Sequence, residues 1–126
     1  TPITAWTNLA PGDAITVTIS HVSGTNWSIA VDDATQHETF ITNQTYTGPA
    51  QSADWILEAP QISGLQATLA DYTEFPFSKV AASGPDTTDT WVVMVQKGAI
   101  VSVPSDVGEG GTSFKMAYGA AVPAPP

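Results

Sequence analysis

Alternation with a period of two dominates the chain and constrains its fold more than any other feature. Residues 14–22, "AITVTISHV", put Ile15, Val17 and Ile19 on one side and Thr16, Thr18 and Ser20 on the other. Successive side chains of a strand point to opposite faces, so this pattern predicts a strand with one apolar and one hydroxyl-bearing face. The same period predicts strands over 27–33 (Trp27, Ile29, Val31), 36–42, 52–60, 73–82, 90–96, 99–105 and 112–119. Between them lie turn-forming clusters at 23–26, 43–51, 83–89 and 106–111, with Lys97-Gly98 as a tight hairpin connection. Residues 61–72, interrupted by Gly64, read as a loop. Pro76 lacks an N–H and so assigns its strand to a sheet edge or a bulge. No helix-length amphipathic pattern occurs. Short strands spaced by turns predict an all-β chain, an antiparallel sandwich or barrel. One domain over 1–119 is expected, followed by an extended Pro- and Ala-rich tail, 120–126, without fixed structure.

Charge removes whole classes of function. Twelve acids face three lysines and no arginine, for a net charge of -9. Phosphate contacts need Lys and Arg, so nucleic acid is not an expected partner. No stretch approaches the roughly 20 apolar residues of a membrane-spanning helix. The N-terminal residues show neither the basic nor the apolar region of a signal peptide, which is then absent or already removed. Without cysteine there is no disulfide and no thiolate metal site. A charged fraction of 12%, with abundant Ser and Thr, points to an extracellular or acidic setting.

Several residue groups raise chemical readings, each set against a plain structural one. His21 and His37 have no second ligand at metal spacing, so zinc is not expected. Ser20 and His21 with an acid would formally make a triad, but no nucleophile-elbow pattern accompanies them. The acidic runs 31–33, 85–89 and 105–109 lack the calcium-loop arrangement, and turn chemistry accounts for them. No metal and no cofactor is implied. Trp6, Trp27, Trp55 and Trp91 suit half-buried packing or, alternatively, sugar platforms. Asn26 and Asn43 begin glycosylation triplets, a pattern common by chance.

The stretch "SADWILEAP" (52–60) is the most pointed. As a strand it would turn Trp55, Leu57 and Ala59 inward and leave Asp54, Ile56 and Glu58 on the other face. Asp54 and Glu58 are four residues apart, about 13 Å along a strand, too far to share a proton. Chemistry here would use Glu58 with some other partner, and would need a partly desolvated groove. Otherwise these acids simply face water.

Residues 53–58, "ADWILE", resemble the "AEWI-x-E" strand of the glutamic peptidases (eqolisins). Ala53, Asp54, Trp55, Ile56 and Glu58 fall on that motif, with Asp54 in place of the more usual Glu. Ala59-Pro60 resembles the bacterial form. "APGDAITVTIS" (10–20) is similar to the family's upstream "GD-x-I" strand. "LADYTEFPFSKV" (69–80) is similar to its "LADFGTVTF" segment, apart from Glu74 and Pro76. The resemblance covers residues 10–118. It implies a concanavalin-like sandwich of two antiparallel sheets, of which this chain would be an incomplete half. It also implies proteolysis under acid conditions, with Glu58 as catalytic base and acid, and Asp54 and Trp55 in support. The family's second catalytic group is a glutamine that donates to the oxyanion. It precedes a "WYEWYP" segment to which nothing here corresponds. Gln36, Gln44, Gln51, Gln61, Gln66 and Gln96 do not match its place. The resemblance thus implies a secreted acid endopeptidase acting on polypeptide and completed by an N-terminal chain. A fragment, one chain of a processed enzyme and a relative without activity are all compatible with it. The alternative is a non-catalytic sandwich that binds a glycan or protein through exposed Trp.

Overall fold

The structure is a computed structural model that describes residues 6, 8–49, 52–82 and 90–126. All its regular elements are strands, and every pairing is antiparallel. The chain divides into two compact units, Thr1–Gln51 and Ser52–Pro126.

The first unit is a three-stranded meander of β1 (Ile15–Ser23), β2 (Asn26–Asp33) and β3 (Glu38–Thr45), with β2 in the middle. The alternation of 14–22 and 27–33 is realised almost residue for residue. Val17 pairs with Val31, which pairs with Phe40, and Ile19 pairs with Ile29. Direct partners share a face, so Ile15, Val17, Ile19, Ile29, Val31 and Phe40 form one apolar side. Thr16, Thr18, Ser20, Ser28 and Asn43 lie on the other. The β2–β3 turn is held by Asp33, which is buried. Its Oδ1 accepts from the N–H groups of Thr35 (2.9 Å) and Gln36 (3.0 Å). Asp32 accepts from the Thr39 hydroxyl at 2.8 Å. Asp33 therefore does turn work, as its sequence suggests, while Asp32 ties β2 to β3.

The second unit holds a two-stranded hairpin, β4 (Gln61–Ile62) with β5 (Leu65–Gln66), and a four-stranded sheet in the order β6-β9-β8-β7. Its strands are β6 (Glu74–Ser78), β7 (Met94–Gln96), β8 (Ala99–Pro104) and β9 (Ser113–Tyr118). Pro76 lies on edge strand β6, where a missing N–H is tolerated. Lys97 (φ 51°) and Gly98 (φ 79°) make the β7–β8 turn, both left-handed as a two-residue hairpin loop of this hand requires. Leu69, Val103, Phe114, Met116 and Ala117 are buried. Phe77 pairs with Phe114 across β6–β9, and their rings stack at 4.7 Å. Trp91 meets Phe114 edge-on at 5.6 Å. Tyr72 Oη and Ser102 Oγ are hydrogen bonded at 2.6 Å inside this unit.

Three sequence expectations are corrected. Residues 52–60 are not in a ladder; they run irregularly, because a strand exists only where neighbours take its N–H and C=O groups, and among the described residues only Ala67 does so, at Pro60 O. Residues 61–66, expected as loop, form the β4–β5 hairpin, its turn made by Ser63 (φ 51°) and Gly64 (φ 79°). The strand expected over 90–96 pairs only at Met94–Gln96. The turn cluster 83–89, with the acidic run 85–89, lies outside the described residues. At the end of the tail Pro126 lies close against Gly108.

Candidate functional site

Although 52–60 forms no ladder, its inward phase survives at its C-terminal end. Ala59 is 5% exposed and Leu57 half-buried, whereas Trp55, Ile56 and Glu58 are exposed. Asp54 is exposed as well, in the same phase as Glu58. The Glu58 carboxylate accepts no hydrogen bond from any described residue. The described residues of its own unit leave it exposed, short of the desolvation that proton-transfer chemistry would call for.

Glu58 lines an open hollow of about 570 Å³ together with Ala59, Pro60, Gln61 and Gln66. The hairpin builds its far wall. Gln61 pairs with Gln66 and Ile62 with Leu65, so both glutamines lie on one face of the hairpin and both aliphatic side chains on the other. The base of the hairpin is fixed twice. Ala67 N donates to Pro60 O at 2.8 Å, extending the ladder by one bond. The Gln96 carboxamide then clamps the following chain, its Nε2 donating to Ala67 O (2.8 Å) and its Oε1 accepting from Leu69 N (3.0 Å). Strand β7 thereby sets where the wall of the hollow stands.

The structure brings Glu58 together with two glutamines that sequence reasoning had passed over. Their signal was present in the mirror-like run "QISGLQ", in which a Ser-Gly turn folds each Gln onto the other. Asp54 and Trp55 do not line the hollow. The other candidates resolve into packing. Ser20 and His21, as neighbours on β1, point to opposite faces and make no triad. His21 instead bonds Gly24 O through Nε2 (2.9 Å) and meets Trp27 edge-on, while Trp27 also touches Tyr46. Trp6 lines a small apolar recess with Leu9, Ile15 and Val31. Among the described residues no three His, Asp or Glu side chains are grouped to hold a metal ion. Among the described residues no helix is long and apolar enough to cross a membrane.

Among the described residues every regular element is a strand and every pairing antiparallel, so the chain is all-β. Its fold is similar to the crystal structure of aspergilloglutamic peptidase from Aspergillus niger, with a TM-score of 0.64 at 21% identity. That likeness covers 87% of this chain and 68% of the other. The profile of the peptidase A4 family matches residues 2–118. The chain belongs to that family, the glutamic peptidases. Among curated proteins none matches it.

Proposed function

We propose that this chain is the glutamate-bearing part of a secreted acid endopeptidase, with Glu58 as its proton-transfer group. The observation that carries the reading is the family match across 2–118, within which Glu58 holds the motif's last position at the edge of an open hollow. Glu58 takes a proton from a water as the water oxygen attacks the scissile carbonyl. A glutamine on a completing N-terminal polypeptide donates its amide N–H to the oxyanion that forms. Such a donor acts because it is aimed at charge present only in the transition state. The C–N bond then breaks, and Glu58 returns its proton to the leaving amine.

Two features support a completing chain. Among the described residues the backbone of 52–58 has no ladder partner, so its polar groups are open to another strand. Glu58 is exposed, and an added layer would supply the shielding that raises the worth of each electrostatic contact. An acid setting suits the composition, since protonating carboxylates relieves the self-repulsion of a chain with a net charge of -9.

The test is reconstitution. Mixed with the glutamine-bearing N-terminal chain at acid pH, this chain is expected to cleave a denatured protein, and alone to be inactive. Glu58→Gln is expected to lower kcat/KM of the assembly by about 10²–10⁴-fold, the usual worth of a positioned acid–base group. Cleavage that survives the substitution unchanged would end the assignment.

A further inference from the structure

We propose that the Gln66 carboxamide is a substrate-binding group that pairs with a backbone peptide unit of a polypeptide lying in the Glu58 hollow. The inference rests on the peptidase reading for its location and on the hairpin for its chemistry. Gln61 and Gln66 both line the hollow, but they are not equivalent. Gln61 Nε2 donates to Gly64 O at 3.3 Å, so its amide is tied to its own turn. The Gln66 side chain makes no hydrogen bond with any described residue, and its backbone is fixed by pairing with Gln61. The same wall is held by the Pro60–Ala67 bond and the Gln96 clamp. A well-anchored backbone therefore presents an unused carboxamide beside a carboxylate.

The chemistry of that pair selects the ligand. A carboxamide offers one acceptor oxygen and two N–H donors, the complement of a peptide C=O and N–H. Glu58 accepts and cannot donate while ionised, so it leaves a substrate carbonyl to the amide. The remaining lining, Ala59 and Pro60, offers apolar surface without a side-chain charge. The hollow is open to solvent, so an extended segment can lie along it. The contact forms with bound substrate before the bond breaks, so it governs binding rather than the chemical step.

Two measurements decide it. In the reconstituted enzyme, Gln66→Ala is expected to raise KM about 3- to 10-fold, the worth of a neutral hydrogen bond, with kcat within about 2-fold. Gln66→Met, which keeps the length but removes the donors and the acceptor, is expected to raise KM to a similar extent. An unchanged KM in both variants, or a loss confined to kcat, overturns the proposal. The second measurement needs no turnover. In the ¹⁵N-labelled Glu58→Gln chain, titration with oxidised insulin B chain is expected to shift the Gln66 side-chain amide resonances saturably. Backbone amides of the β4–β5 pair report that the hairpin is intact. Resonances that stay in place at saturating peptide overturn the proposal. Hydrolysis that persists in Glu58→Gln would instead remove the peptidase reading, with the Gln66 titration still decisive for peptide binding.

Discussion

The β1–β3 sheet and the β6–β9 sheet are written in the same alternating code, yet they treat their apolar residues in opposite ways. In the second unit, Val103, Phe114, Met116 and Ala117 are buried, and aromatic rings from β6 and β9 stack directly. In the first unit no described hydrophobic side chain is buried; Val17 is 58% and Ile19 63% exposed. Among the described residues there only Asp33 is buried, and it serves a turn. Alternation therefore tells which side of a strand is apolar, not whether anything covers it. Cover comes from other elements. Phe114 has Phe77 and Trp91 against it, whereas Val17 pairs with Val31 and stays 58% exposed. The β1–β3 meander is held chiefly by ladder hydrogen bonds and turns, with ring contacts around Trp27 at one end, and pairing with so little covered surface is marginal in water.

The largest test of this contrast is Phe114→Ala. Removing a buried ring that stacks on one aromatic and meets another edge-on is expected to destabilise the second unit by about 3–5 kcal/mol. Amide hydrogen exchange read strand by strand is the suitable measurement, because it separates the two units without assuming one transition. Protection is expected to fall in β6, β8 and β9 and to hold in β1–β3. A uniform loss across all strands would mean that the units unfold together and would break the comparison.

A smaller effect is expected at the join between sheet and site. Gln96→Ala removes both bonds of the clamp and leaves the N–H of buried Leu69 without its acceptor. An unsatisfied buried donor costs about 1–3 kcal/mol. Exchange at Leu69 should accelerate most, followed by the β4–β5 amides, with β9 unaffected. Protection at Leu69 that persists would show that the hairpin wall stands without β7.

What the sequence disclosed follows the same division between local and non-local causes. Strands β1 and β2, the edge position of Pro76 and the Lys97-Gly98 turn were legible because each is decided by residues within one segment. The hairpin at 61–66 was passed over because its strands are two residues long, too short for a period to register. Residues 52–60 carry a strand's pattern but no ladder, since their period cannot supply a neighbour's carbonyls. Glu58 was singled out by its motif, an inherited spelling rather than a physical period. The hollow beside it, with Gln66 on its wall, depends on where the hairpin folds back and on Gln96 some thirty residues later, which no local window contains.

The smallest expected effect is also the sharpest probe of the exposed sheet. Ile19 sits mid-strand on β1 with its side chain largely in solvent. Deleting a buried Ile side chain costs about 2–5 kcal/mol, but the bulk of that energy is absent where water already surrounds the group. Ile19→Ala is therefore expected to change β1–β3 protection by no more than about 0.5 kcal/mol in the chain alone. The same substitution in the reconstituted assembly provides the contrast. If the completing chain covers this face, the cost should rise into the range for buried aliphatic residues, because the ring of neighbours that water now replaces would then be present. Equal small costs in both states would mean that the apolar face stays open, and that completion of the molecule proceeds through the backbone of 52–58 alone.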